Sequence, residues 1–306
     1  MKTKNVEAAA TIGFFDGVHR GHQYLVEQLR RLAAERNLLS TVITFDCHPR
    51  QVLHADWQPQ LLSTLAEKQA LLRQTGIDRL EVLHFDEEMA ALSARDFMRL
   101  VLREQLGVGL LLTGYDNHFG HREQGCTEGF GHYVGYGREL GMEVVCGQPL
   151  VLEGVSVSSS LVRSRLLEGR VEEAARFLDR PYEISGLVEH GEQQGRRMGF
   201  PTANLHVATL EKLIPAGGVY AVRVRLDDDS RCWPGMTNIG LRPTFGEGHR
   251  QTIETHLFGF TGDLYGRCIT LSFVRRLRDE QHFSSPEALA RQMAIDAEQC
   301  KIILSK

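Results

Sequence analysis

Apolar and polar positions follow two different rhythms along this chain, and the change from one to the other divides it. In the first 180 residues, short apolar runs bounded by polar residues predict strands at Ala8–Ile12, LLSTVITF (38–45), LEVLHF (80–85), GLLLTGY (109–115) and MEVVCGQPLVL (142–152). Between them the apolar residues recur at helical spacing. In Gln23–Arg36 the stripe is Leu25, Val26, Leu29, Leu32 and Ala33, and similar patterns cover Thr64–Gln74, Ser93–Gln105 and Thr127–Leu140. Ser93 with Asp96 resembles a capping box. Regular alternation of strand and helix predicts an α/β fold, a doubly wound and mostly parallel sheet with helices on both faces. The helical rhythm stops after EEAARFLDR, and Pro181 follows. From Ile184 on, ISGLVEH, GVYAVRVRL, TIETHLF and CITLSFVRRL are separated by turn residues, which predicts a small antiparallel β-barrel. A last helix opens with Ser285 as N-cap and Pro286 in its first turn. The predicted domains are therefore 1–182 and 183–306.

Composition narrows the class without naming a function. The chain has 306 residues, enough for about two domains of roughly 150 residues. Its net charge is −4, so nothing draws it as a whole to nucleic acid or to an anionic membrane. The cluster Arg275, Arg276 and Arg278 reads as a solvated strand end. No apolar run approaches the ~18 residues of a membrane span, and MKTKNVEAAA is too short and polar for a secretory signal. The six cysteines (Cys47, Cys126, Cys146, Cys232, Cys268, Cys300) form no C-x-x-C pair. That argues for a reducing cytoplasm rather than for zinc or a disulfide framework.

The candidate chemistry follows the strands. Polar clusters at Asp16–His22, Asp46–Pro49, Asp116–Gly120 and Ser156–Arg163 each come directly after a predicted strand, where open α/β sheets bind ligands. The first is GFFDGVHRGH, a glycine turn leading into a helix N-terminus. Unpaired N–H groups and the helix dipole make that a seat for phosphate. From this composition H-x-G-H is expected by chance roughly 0.05 times, and strand–turn–helix context is what supports such a motif. The same four residues also suit two surface histidines on a first helical turn, or a stray metal pair. SVSSSLVRSRL places three serines before a helix and Arg163 on its first turns, a phosphate clamp or a plain N-cap. In the second half, GEQQGRRMGFPTAN offers close backbone approach at Gly195. Its Thr202 and Asn204 are hard oxygen ligands suited to Mg²⁺ held with nucleotide phosphates, although a glycine-rich barrel loop would read the same way.

Over nearly its whole length the chain resembles the bifunctional riboflavin kinase/FAD synthetases of bacteria. GFFDGVHRGHQ is similar to that family's nucleotidylyltransferase motif G-x-F-D-G-x-H-x-G-H-Q. TFDCHPRQVL resembles its T-F-x-P-H-P segment with Cys47 in place of proline. GYDNHFG resembles G-x-D-F-x-F-G with Asn117 and His118 as departures. VSSSLVRSRL resembles S-S-T-R-I-R, with Ser160 for threonine and Leu161 for the first arginine. GRRMGFPTANL, GVYAV, NIGLRPTF, IETHLF, LYG and LRDEQHFSSPEAL match the kinase module in order.

The resemblance implies phosphorylation of riboflavin to FMN by ATP, then adenylylation of FMN to FAD with release of pyrophosphate. It implies His19 and His22 as catalytic in the transferase and Glu254 as the kinase base. Nucleotide contacts fall on Gly13, Phe15, Asp16, Gly17, Ser159, Ser160, Arg163, Gly195, Thr202 and Asn204. Asp116 and Arg278 are flavin candidates, and Thr202 and Asn204 would hold Mg²⁺. Strand alternation sets Glu254 with His256 and Phe258, opposite Ile253 and Leu257, so it can point into a site; it can equally face solvent. The expected partners are small-molecule substrates, with no nucleic acid and no membrane, and homo-oligomerisation is left open. Because of Leu161, Asn117 and His118, the alternative is a riboflavin kinase whose first half is a weakened transferase or a nucleotide-sensing module.

Overall fold

The computed structural model describes residues 7–54, 56–115, 119–120, 128–190, 200–209, 211–229, 231–243 and 249–305. Contacts divide the chain into two compact units, Met1–Ser159 and Ser160–Lys306.

The first unit is built on β1 (Ala8–Ile12), α1 (Arg20–Arg36), β2 (Leu39–Phe45), α2 (Pro49–Leu53), α3 (Leu65–Gln74), β3 (Arg79–Leu83) and α4 (Glu87–Ala91). Next come α5 (Ala94–Asp96), which runs on as a π-helix over Phe97–Gln105, then β4 (Val108–Thr113), α6 (Phe130–Leu140) and β5 (Glu143–Cys146). A small antiparallel ribbon of β6 (Val151–Leu152) and β7 (Val155–Ser156) follows. The five main strands form one parallel sheet in the order β3-β2-β1-β4-β5. The chain winds outward in both directions from β1, so the crevice between β1 and β4 is the topological switch point, where such sheets take ligands. Both faces are covered, as the continuous apolar strands require. On one face Ala9, Val42, Leu110 and Leu112 pack with Val26, Leu29 and Ala33 of α1 and with Leu72 of α3. On the other, Ala10, Ile12, Ile43, Phe45 and Leu111 pack with Phe97, Met98, Val101, Leu102 and Tyr133.

Helix α7 (Ser159–Leu167) is followed by α8 (Val171–Leu178) and then by a closed antiparallel barrel in the order β10-β11-β12-β9-β8-β13. Its strands are β8 (Tyr182–Glu189), β9 (Ala203–His206), β10 (Gly218–Leu226), β11 (Cys232–Pro243), β12 (His249–Leu257) and β13 (Cys268–Arg278). Helix α9 (Pro286–Leu304) closes the chain, with Ser285 Oγ accepting from the Ala288 N–H at 3.2 Å and proline in the first turn, as expected. Inside the barrel, Thr237 and Thr255 are fully buried and share a hydrogen bond of 2.7 Å. The opposite parity faces outward: Val219, Ala221 and Met236 are buried under Cys300 and Leu304 of α9.

Two details depart from the sequence expectation. The segment 142–152 is not one strand but two, because Gly147 and Pro149 separate β5 from the β6–β7 ribbon. The helix predicted over Ser93–Gln105 is α only in its first turn and π thereafter.

Candidate active sites

The residues after β1 form a tight turn that ends on the N-cap of α1. Phe15 (φ 55°), Gly17 (φ 74°) and Val18 (φ 41°) all take left-handed backbone. For β-branched Val18 that is a true outlier, of the kind found where a loop is held for function. Neighbours hold this one. The buried Asp16 carboxylate accepts from the backbone N–H groups of Leu62 (2.9 Å) and Ser63 (3.1 Å), and the Gly17 N–H donates to Ser63 Oγ at 2.9 Å. Ser159 Oγ donates to the Asp16 carbonyl at 3.0 Å. Asp16 and Ser159 thus shape the loop. Gly13 packs against the Phe15 ring.

His19 caps α1. Its buried Nδ1 accepts from the His22 N–H at 3.3 Å, so the ring carries its proton on Nε2. The His22 ring stacks on it with centroids 3.6 Å apart and also meets the Phe15 ring edge-on. Burial, with His19 and Lys68 nearby, holds the His22 imidazole well below the usual histidine range of 6.5. His22 is therefore neutral at pH 7, and its Nδ1 is a buried polar atom with no hydrogen-bond partner. A Cβ at Gly21 would sit 2.9 Å from the Val157 carbonyl and 3.1 Å from the His19 ring, so only glycine lets the two rings stack here. The turn presents a helix N-terminus flanked by the two imidazoles, able to donate to an anion.

Sequence reasoning missed two residues of this neighbourhood. Ser63 fixes the turn, and Lys68 lies buried beside it. Lys68 had a signal: it stands four residues before Leu72 on the buried stripe of α3, a lysine in phase with an apolar face. Ser160 and Arg163 lie on the first turns of α7. Asp116, Asn117, His118 and Gly195 lie outside the described residues.

In the barrel, register brings three polar side chains into a row. Glu254 of β12 is directly opposite Asn204 of β9 on one side and Asn238 of β11 on the other. Directly opposed residues share a face, and the buried Ile253 and Thr255 place that face outside the barrel. Thr202 immediately precedes β9. His256 ties this segment down: its Nδ1 bonds the Pro201 carbonyl at 2.8 Å, and its ring meets Phe200 edge-on. Asn238 Nδ2 also donates to Glu280 Oε1 at 3.4 Å. Amide and carboxylate oxygens on one face, with the Thr202 hydroxyl one residue ahead of β9, are hard donors of the kind magnesium takes together with phosphate oxygens and water. Among the described residues no three His, Cys, Asp or Glu side chains converge as a metal cluster. Arg278 directs Nε and Nη2 to the buried Asp296 carboxylate (3.0 and 2.8 Å) and Nη1 to the Asp279 carbonyl (2.9 Å), fastening β13 to α9.

Two family models match the chain: FAD synthetase over residues 1–161 and riboflavin kinase over residues 178–304. A Pseudomonas fluorescens protein named bifunctional riboflavin kinase/FMN adenylyltransferase is 40% identical over 298 residues, 97% of this chain and 93% of its own. A relative of the same name from Escherichia coli K12 is 39% identical over 286 residues, 94% and 89% of the two chains. Among solved structures, a Streptococcus pneumoniae protein described as a macrolide-efflux protein superposes with a TM-score of 0.86 at 28% identity, covering 97% of this chain and 96% of that one. The efflux description stays with that protein; among the described residues here, no helix is long and apolar enough to cross a membrane.

Proposed function

The chain belongs to the bifunctional riboflavin kinase/FMN adenylyltransferase family, and on that premise we propose a division of labour between its residues. The second unit phosphorylates riboflavin to FMN with ATP. The first adenylylates FMN to FAD with a second ATP, releasing pyrophosphate. The observation that carries this reading is that each half gathers polar side chains of its own that suit phosphate: the stacked imidazoles at the start of α1, and the Asn204–Glu254–Asn238 row on the barrel.

In the kinase, Glu254 takes the proton of the riboflavin 5′-hydroxyl as its oxygen attacks the γ-phosphorus of ATP and ADP leaves. Thr202 and Asn204 would hold Mg²⁺ and the phosphates, with Gly195 among the nucleotide contacts. The ion, when bound, neutralises charge on the transferring phosphoryl group. In the transferase, a phosphate oxygen of FMN attacks the α-phosphorus of ATP, and the bond to the β,γ-diphosphate breaks. The nucleophile is already anionic, so the site's task is to stabilise charge on the α-phosphate and the departing pyrophosphate. His19, through Nε2–H, and His22 donate to those oxygens. Gly13, Phe15, Asp16, Gly17 and Ser159 shape the turn that receives them, and Ser160 and Arg163 hold outer phosphates. Asp116 contacts the flavin. Arg278 acts on it at most indirectly, because its donors are engaged. We place the enzyme in the cytoplasm, where its described cysteines stay free thiols.

Incubation with riboflavin and Mg-ATP, with flavins resolved over time, tests the reading. FMN should appear first and FAD after it. FMN that accumulates without FAD would leave only the kinase.

A further inference from the structure

Lys68 is a buried cation that the reactions above do not use. It is 2% exposed. Its Nζ donates to the Phe45 carbonyl at 2.8 Å, at the end of β2, and lies 3.8 Å from the centroid of the Phe14 ring, just past the end of β1. Helix α3 thus delivers an ammonium to the carboxyl ends of the two strands whose loops form the transferase site. Two acids lie within electrostatic reach, Asp16 and Asp46. Both are committed elsewhere. Asp16 accepts from Leu62 and Ser63; Asp46 accepts from the N–H groups of Cys47 (2.8 Å) and Phe85 (3.1 Å) and bonds His84 Nδ1 at 2.6 Å. Among the described residues, no carboxylate pairs directly with the ammonium. A buried charge without a counter-ion in contact is costly. Such a charge is accounted for when an anion that binds beside it completes the pair.

We propose that Lys68 is an electrostatic positioning residue of the transferase: its charge draws the ends of β1 and β2 together and supplies the positive potential that holds the polyphosphate of ATP against the two histidines. The inference rests on the transferase reading of the first unit. It assigns the ammonium to nucleotide binding rather than to the chemical step, because it acts through Phe14 and Phe45 and not on the reacting atoms.

The groups facing Lys68 are Asp16 after β1, His22 on α1, and Asp46 and Cys47 after β2. Burial pulls the ammonium itself down to about 8. It therefore discharges on the alkaline side of neutrality, whereas His22 is neutral throughout that range. The KM for ATP should rise with pH above about 8 in FAD synthesis. The loss of one charge-assisted contact sets the scale at about tenfold or more. Stability should not fall over the same window. The folded state gives up this proton before the unfolded state does, so discharge between about 8 and 10.5 favours the fold.

The test is the KM for ATP and the kcat of FAD formation from supplied FMN, from pH 7 to 9.5, with melting temperatures alongside. The parent and Cys47→Ser should both show the rise in KM with little change in kcat, which assigns the limb to the lysine and not to the thiol. Lys68→Met should show a high KM that no longer varies with pH, while phosphorylation of riboflavin keeps its parental rate. A flat KM in the parent, a limb abolished by Cys47→Ser, or a parental KM in folded Lys68→Met would each overturn the proposal. If Lys68→Met fails to fold, the parent and Cys47→Ser profiles decide. No FAD at any pH would instead remove the transferase reading, and this inference with it.

Discussion

One methylene decides the geometry of the transferase turn. With glycine at position 21, the His19 and His22 rings stack and the first turn of α1 stays open to an anion. His22 then carries two consequences. Removing one aimed donor costs about 10²–10³ in rate, so His22→Ala should lose FAD synthesis on that scale and keep FMN synthesis. Pre-steady-state FAD formation at saturating ATP and FMN checks it, and a rate near the parent's would reduce the pair to a packing feature of α1. The second consequence is for stability. Because the folded state holds His22 below its ordinary value of 6.5, the unfolded chain binds more protons once the pH drops under 6.5. Stability at this site is therefore full above 6.5 and lost progressively as the pH falls toward the depressed folded value. Denaturant titrations from pH 7 to 5 should show a shallower acid loss in His22→Gln than in the parent.

At the scale of elements, the sequence was most legible where structure is local. The longer helices and main strands of the first unit show in the switch between apolar runs and helical spacing, and the Ser93 and Ser285 caps appear where their side chains suggest. Closure of the barrel is not local. Strand β9 has only four residues and joins β12 to β8 across long separations, so the row that aligns Asn204, Glu254 and Asn238 cannot be read from spacing. Nor can the turn's fastening to Ser63, 46 residues from Gly17, or the π geometry after Asp96. The change of rhythm near Tyr182 marks where strands begin, while contacts divide the chain at Ser159. Two fragments weigh these boundaries. Val171, Ala174, Phe177 and Leu178 of α8 are buried, and α8 packs on β8 and β13. At about 1.5–3 kcal/mol for each large apolar side chain, residues 160–306 should be several kcal/mol more stable than residues 183–306. Urea denaturation of both fragments, with riboflavin kinase activity as the check on folding, measures the difference. Equal midpoints would show that α8 is dispensable and that the barrel begins at the change of rhythm.

For the whole molecule, the question is whether two phosphate sites on one chain need each other. Each active-site constellation is assembled from its own motif set, and the intermediate they share, FMN, is a small diffusible molecule. Glu254→Gln should therefore lose the kinase by about 10²–10⁴-fold, the usual scale for a general base, and still convert supplied FMN to FAD. His22→Ala should do the reverse. Mixed in equal amounts with riboflavin and Mg-ATP, the two variants should together make FAD that neither makes alone. The FAD should appear after a lag, because FMN must build up in solution before a second molecule captures it. The lag should shorten as both variants are concentrated, since capture is then bimolecular, and added FMN should abolish it. Chromatography of the flavins over time reads all three effects. If each variant keeps its own half-reaction and the mixture still yields no FAD, then FMN does not leave the molecule that makes it. The two halves would then act as one enzyme rather than as two joined in sequence.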